Sequence, residues 1–487
     1  MRCLRNMRMY KILLITAWIM FNSIGWGMAE IGSSTAYQAG AWPAGIAVGD
    51  VNGDKLNDIV CANYNDNSIS VFIQNNGRLL EQATYSTFMN PLGVGIGDID
   101  LDGRNDVAVV CAGADIMNIF SQATIINGSI SIKYGSITLD GTISLSGIKT
   151  FAGEIRVGGE QNGSIWISSD NLCLFQINYG TFTLLGSGTL SGHIVRSDPF
   201  TLIGEVKASD GTAAYIGKIT LNGMTGGYLI NIANYATKRA PYGLSMGDIN
   251  GDARDDIVVA NLGAESISIF TWLENIPRSY QCLYHSFAFA KEMTLTKEGD
   301  KIFAHIVYPA GKMPFGIDIG DVNIDGDRDV VCVNYQSGDM NVFLQENSVL
   351  KPSATLTTGP NPTSVRCGDI NSDGFSEIVT SSLGGGMLSV FTPYRLIGTY
   401  TTCDARSGGV DIGDINNDGL MDAAVSNDTS NTVSIFIQGK DGLLHLQKSC
   451  QTGRSPGSCR IADINNDGIN EIITGDAQSN TITVQYP

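Results

Sequence analysis

The sequence is poor in charge, poor in histidine and short of basic residues, and each shortage narrows what the chain can do. Charged residues are 16% of 487, and Asp and Glu outnumber Lys and Arg by 48 to 30, giving a formal net charge of −18. That balance argues against a nucleic-acid partner, because phosphate contacts need clustered cations. The four histidines, His193, His285, His305 and His445, stand alone, and none lies in HExxH or another metal-ligand spacing. Walker and CxxC motifs are lacking, and no carboxylate pair can be singled out as a glycosidase requires. The chain is therefore not expected to be an enzyme. Beyond the N-terminus no stretch keeps a helical period, and no second apolar run reaches the length of a membrane span.

The N-terminal 29 residues read as a targeting segment. Arg2, Arg5, Arg8 and Lys11 precede an apolar run from Ile12 to Trp26, and Gly27-Met28-Ala29 has the small-x-small pattern of a cleavage site. Residues 1–29 are read as a signal peptide and 30–487 as the mature chain, with an uncleaved anchor as the alternative. Loss of the four cations takes the net charge to −22. Export to a secreted, periplasmic or cell-surface location is the expectation, with no transmembrane span after signal removal. Of ten cysteines, Cys3 leaves with the signal; Cys61, Cys111 and Cys332 sit in apolar runs as small hydrophobes, and Cys450 and Cys459 flank a turn across which an oxidising compartment allows a disulfide.

What the chain does have is one short pattern seven times over. In Asp414-Ile415-Asn416-Asn417-Asp418-Gly419-Leu420-Met421-Asp422, side-chain oxygens stand at loop positions one, three, five and nine, with Gly at six. This spacing gathers hard oxygen ligands around a cation such as Ca²⁺. The other copies place the same groups at Asp50, Asn52, Asp54 and Asp58; Asp98, Asp100, Asp102 and Asp106; Asp248, Asn250, Asp252 and Asp256; Asp321, Asn323, Asp325 and Asp329; Asp369, Asn371, Asp373 and Glu377; and Asp463, Asn465, Asp467 and Glu471. These positions hold 22 of the 48 acidic residues, so the acidity is concentrated in one geometry. Asp and Asn also favour tight turns by bonding their own backbone without metal. Lys55 and Ala253 stand where Gly is expected at position six, which makes those two loops strained and differently shaped.

Each loop lies between two apolar runs, and a polar turn and an alternating strand follow, as in Ser68–Gln74 and Thr432–Gln438. A weaker fourth strand completes the unit. Loop starts are separated by 48, 150, 73, 48, 45 and 49 residues. Four antiparallel strands recurring every 45 to 50 residues predict an all-β chain folded as a β-propeller. The last unit runs out after its third strand, and Ser34–Gln38 is positioned to supply the fourth and close the ring. The long interval admits two readings: residues 121–240 form a β-rich insertion into seven blades, or two degenerate blades that make nine. The 73-residue interval reads as a blade with a longer outer hairpin within 276–309.

These repeats resemble the FG-GAP or VCBS-type repeats of integrin alpha-chain heads and exported bacterial proteins, over about 45 to 487. The resemblance implies a propeller whose acidic loops join first and second strands and bind several structural Ca²⁺ ions on one face. EF-hands use similar loops but need flanking helices and a Glu at position twelve, and both are missing here. Function is then expected on the opposite face, in the turns between second and third strands, where Tyr64 and Tyr335 follow Asn at matching positions. A Tyr beside amides suits a sugar ring, so a binding or adhesion module for carbohydrate or a surface protein is the first expectation. A polysaccharide-active enzyme and an architectural part of a surface assembly are the alternatives.

Overall fold

Short Val/Ile-rich runs broken by Asn, Asp and Gly favour strands and tight turns over helices. A computed structural model describes residues 33–487 apart from 81–82, 135–136, 148–154, 161–163, 169–173, 180–188, 193, 199–200, 209–213, 274–289, 299–300, 347–348 and 393–394. Between 123 and 228 only the backbone is described. The signal segment 1–29 lies outside the described residues. Every element described is a β-strand, and no described helix is long and apolar enough to cross a membrane.

The strands form a seven-bladed β-propeller of antiparallel sheets. Blade 1 is typical, with Pro43–Gly49 innermost, then Asp58–Asn63, Ser68–Phe72 and Ala83–Ser86. The other innermost strands are Pro91–Gly97, Pro241–Gly247, Pro314–Gly320, Pro362–Gly368, Ser407–Gly413 and Pro456–Ala462, for blades 2 to 7. Each packs against the next, and the last packs against the first. The close approach explains the Gly three residues into several of these strands: a Cβ on Gly45 would stand 2.1 Å from the Leu92 carbonyl oxygen, and one on Gly243 would stand 2.3 Å from that of Phe315. A blade covered on both faces needs a second strand without a polar face, and all seven second strands are buried from end to end. Seven apolar clusters fill the seven interfaces between neighbouring blades. Phe72, Phe270, Phe343, Phe391 and Phe436, from the third strands, and Tyr308 are their largest fully buried members.

The N-terminal strand closes the ring. Ser33–Gln38 pairs antiparallel with Thr481–Tyr486, from Ser33 opposite Tyr486 to Gln38 opposite Thr481. Blade 7 therefore takes its fourth strand from the opposite end of the described chain.

The nine-blade reading is corrected to seven. The 121–240 segment is an excursion between the third and fourth strands of blade 2, which are extended to Ile116–Tyr134 and Ala214–Ala236. These two pair from Ile116 opposite Ala236 to Lys133 opposite Ile216, and the strands between 137 and 208 continue the same sheet. The strands Ile155–Glu160 and Ser164–Ser168 pair with each other, and Thr201–Ala208 pairs with Ala214–Ala236; lacking the acidic loop, they start no blade. In blade 3 the outer hairpin is Glu292–Glu298 and Lys301–Pro309, whose later strand takes the fourth place and whose earlier one lies outside it as a fifth. Cys61, Cys111 and Cys332 are fully buried. Cys450 and Cys459 are both free thiols, so the disulfide allowed by the sequence is not formed.

Candidate functional site

Two places on the ring gather polar chemistry, and they lie at opposite ends of the innermost strands. At the C-terminal ends stand the seven acidic loops. In each loop the position-nine carboxylate accepts the position-two N–H, at 2.9 to 3.3 Å across Asp58, Asp106, Asp256, Asp329, Glu377, Asp422 and Glu471. Asp58, Asp329 and Asp422 also accept the N–H of Gln74, Gln345 and Gln438 at the end of the third strand. The group thus clips loop to blade. Position one closes the turn: Asp50 accepts the N–H of Asn52, Gly53 and Lys55, and Asp414 accepts those of Asp418 and Gly419. Asn52, Asn323, Asn371, Asn416 and Asn465 each donate a side-chain N–H to the position-five carboxylate. The longer reach of Glu377 and Glu471 brings them additionally to the amides of Asn371 and Asn465.

The left-handed backbone is more extensive than the position-six Gly suggested. Every loop has two residues at positive φ, at positions four and six. Gly53 and Gly251 occupy position four in the two loops that carry Lys55 and Ala253 at position six, both with φ of 68°. The glycine is displaced by two residues in those loops, and each loop still holds one left-handed non-glycine residue. The costliest of these is Ile324, β-branched, at φ 70° and 54% exposed. A left-handed L-residue costs on the order of 1 kcal/mol, and an exposed Ile regains little of it. Ile324→Gly is expected to raise stability by about 1 kcal/mol, read as a higher denaturation midpoint; a lower midpoint would refute the strain argument.

The loops meet the test for a divalent cation in part on geometry and in part on electrostatics. Carboxylate oxygens of Asp98, Asp100 and Asp106, and of Asp369, Asp373 and Glu377, lie within 4.8 Å of one another. Two ligands on opposite sides of one Ca²⁺ stand about 5 Å apart, so each cluster can surround one ion. Asp252 adds a buried carboxylate oxygen, Oδ2, with no hydrogen-bond partner. Burial pushes the position-nine carboxyls up, to about 7 for Asp58, Asp106, Glu377 and Glu471, about 8 for Asp256 and about 6 for Asp329 and Asp422. The nearby loop acids push in the same direction, and such crowding is what a divalent ion relieves. Position eight, which the sequence reading passed over, ties neighbouring loops together. Asn57, Asn105 and Asn470 donate to the carbonyls of Asp463, Asp50 and Asp414, and Asp255 accepts the N–H of Asp98.

At the N-terminal ends of the innermost strands the ring axis opens into a cavity of about 580 Å³. Its mouth is set by the second residue of each innermost strand. Tyr242 and Phe315 stand there in blades 3 and 4, against Gly408, Gly457 and Ala44 in blades 6, 7 and 1, so one side is walled by rings and the other is open. Tyr335 lines the cavity and stacks on Phe315, with ring centroids 5.6 Å apart; Phe315 packs on Tyr242 at 3.7 Å. Tyr64, half-buried in blade 1, approaches the same group: burial, then the phenols of Tyr64 and Tyr335, push the Tyr242 hydroxyl up to about 12. The turn after the second strand of blade 4 thus brings Tyr335 onto the cavity beside two rings that sequence reasoning missed, while Tyr64 is not among the residues that line it. The signal was present, because Pro-Tyr-Gly and Pro-Phe-Gly place an aromatic ring where the other blades have Ala44, Leu92, Thr363, Gly408 and Gly457. The two described histidines are structural: His305, held down to about 4 by burial, stacks on Phe270 at 4.3 Å, and His445 contacts Asp441 at 3.1 Å.

A ring of four-stranded blades with an acidic loop in each defines a repeat-built β-propeller. Residues 50–109, 308–380 and 414–474 match the family described as FG-GAP-like repeat, so three stretches of this β-propeller carry FG-GAP-like repeats. Similar solved structures include BBS1N in complex with ARL6DN, at 10% identity and a TM-score of 0.46, covering 94% of this chain and 96% of that one. Kuenenia stuttgartiensis hydrazine synthase is similar at 9% identity and 0.46, covering 94% and 98%. A putative 6-phosphogluconolactonase from Bacteroides uniformis is similar at 12% and 0.34, covering 68% and 91%. No curated protein matches the chain.

Proposed function

We propose that this propeller is an exported, non-catalytic binding module, that its acidic loops hold structural Ca²⁺, and that it takes carbohydrate at the axial cavity on the opposite face. The observation that carries the binding site is the aromatic wall: Tyr335, Phe315 and Tyr242 form a continuous stack beside about 580 Å³ of space. Flat rings with a hydroxyl at the edge suit the apolar face and hydroxyl rim of a sugar. When bound, Ca²⁺ neutralises the loop carboxylates. The residues that hold it are those at positions one, three, five and nine of each loop.

Tyr335→Ala removes the outermost ring of the stack. Loss of glycan-array binding with an unchanged melting temperature is the expected result, and Tyr64→Ala is expected to weaken binding less, since Tyr64 is not among the residues that line the cavity. Array binding that survives Tyr335→Ala refutes this site. Capture of a surface protein by the wild-type chain, with an empty array, replaces carbohydrate with a protein partner.

A further inference from the structure

The axial channel below the aromatic wall carries charges that the metal loops and the sugar-stacking site leave unused. The fifth residue of each innermost strand pairs with the same point of its second strand. In blades 1 to 3 this residue is small: Ala47, Gly95 and Ser245. In blades 4 to 7 it is Asp318, Arg366, Asp411 and Arg460, a run of alternating sign across four consecutive blades. Such a run buried along an axis compensates internally at every member except the ends.

Its two ends differ. Asp318 is satisfied, because its Oδ1 accepts from Ser245 at 3.0 Å and its Oδ2 from the Cys367 N–H at 2.9 Å. Arg366 donates Nε to Asp411 at 2.6 Å and stands 4.0 Å from Asp318. The second oxygen of Asp411 accepts the Ile461 N–H at 2.7 Å, so both of its oxygens are engaged. Arg460 is the other end. Among the described residues, its one hydrogen-bond partner is the Cys459 carbonyl oxygen, at 2.8 Å from one terminal nitrogen. Beyond it lie blades 1 and 2, whose residues at this level, Ala47 and Gly95, bring no counter-charge. Burial and then the Arg366 charge hold its guanidinium down to about 10, against the opposing pull of Asp411 and Asp318. Both arginines line the same cavity as Tyr335 and Phe315.

We propose that the ligand is an acidic oligosaccharide, whose terminal ring lies against the Tyr335–Phe315 wall while a uronate carboxylate further along pairs with Arg460. This rests on the carbohydrate reading above. Three residues of strand separate the Phe315 level from the Arg460 level, about 10 Å, so the ligand is an oligosaccharide rather than a single sugar. A planar guanidinium with free donors suits a carboxylate, and a partly enclosed channel screens the pair less than open water does.

The test uses the full mature chain and two probes, oligogalacturonate and the same oligosaccharide after carboxyl reduction to the neutral form. Wild type is expected to bind the uronate roughly tenfold or more tightly than the reduced probe, the scale of a charge-assisted contact. Arg460→Gln is expected to erase that preference while leaving the reduced probe's affinity unchanged, and Arg460→Lys to keep part of it. Tyr335→Ala is expected to weaken both probes together. Equal affinity of wild type for the two probes overturns the acidic inference but leaves the carbohydrate reading standing. Failure of both probes, together with an empty array of neutral and acidic glycans, overturns both. Should Arg460→Gln melt below the binding temperature, Arg460→Met keeps the packing of the aliphatic stem without the charge. It is expected to abolish the preference, and an undiminished preference overturns the assignment to Arg460.

Discussion

Calcium is expected to raise the melting temperature of this protein strongly at pH 8 and only slightly at pH 5. One site at a hundredfold excess over its Kd contributes about 2.7 kcal/mol. The clusters at Asp98, Asp100 and Asp106 and at Asp369, Asp373 and Glu377, already arranged for one ion each, therefore give about 5 kcal/mol between them, a rise of at least about 5 °C. The pH dependence follows from the position-nine carboxyls. Their pKa values in the calcium-free folded chain, about 6 to 8, lie above the ordinary carboxyl range of roughly 4 in the unfolded chain. A raised carboxyl binds more protons folded than unfolded. Its stabilising contribution is complete below pH of about 4 and is lost as pH rises through 6 to 8. Calcium-free protein should thus melt lower at pH 8 than at pH 5. Bound Ca²⁺ reverses this loss, because it requires the ionised form. Differential scanning fluorimetry with EDTA and with Ca²⁺ at both pH values reads the four combinations. A melt insensitive to EDTA at pH 8 would sink the calcium reading.

Removal of residues 33–38 is expected to be the most damaging single deletion in the ring. The strand contributes a six-residue ladder to Thr481–Tyr486, a 2.7 Å bond from the Gln38 side chain to the Asn480 carbonyl, and the Tyr37 ring packed edge-on to Phe72 at 6.3 Å. Net ladder bonds of about 1 kcal/mol each and the burial of part of one Tyr sum to about 5 kcal/mol. Kinetic consequences are larger. Without the strand, Thr481–Tyr486 becomes a bare edge of Ile and Val next to the seam where the ring joins, and such edges recruit other chains. The truncated chain should therefore melt lower and aggregate on warming. A synthetic peptide of residues 33–38 added in trans should restore both properties in part. Unchanged melting and solubility would show that the ring does not depend on this closure.

Much of the fold was legible because the repeat is written into local chemistry. Asp at position one and a carboxylate at position nine, with Gly in the loop, need only nearest neighbours to form the turn, so all seven loops could be located from spacing alone. The continuous apolar run after each loop was equally readable, since a strand covered on both faces has no polar side. The blade count was not legible. The 150-residue interval is about three periods long, and only pairing tells a blade from an extension of one. Local patterns report that a segment is a strand; they do not report its neighbour. The position-eight contacts were hidden for the same reason, because Asn57 reaches a carbonyl 406 residues away in sequence.

The sequence by itself determined the repeat, the loop chemistry and the antiparallel four-strand unit, all set by interactions within about fifty residues. Tertiary structure alone decided that the ring has seven blades rather than nine, that residues 121–240 extend blade 2, and that Tyr242, Phe315 and Tyr335 share one axial cavity with Arg460. The physical reason is that a ring converts equivalent positions in separate repeats into neighbours around an axis. A substitution at one point of the repeat, unremarkable within its own blade, then becomes part of a shared wall.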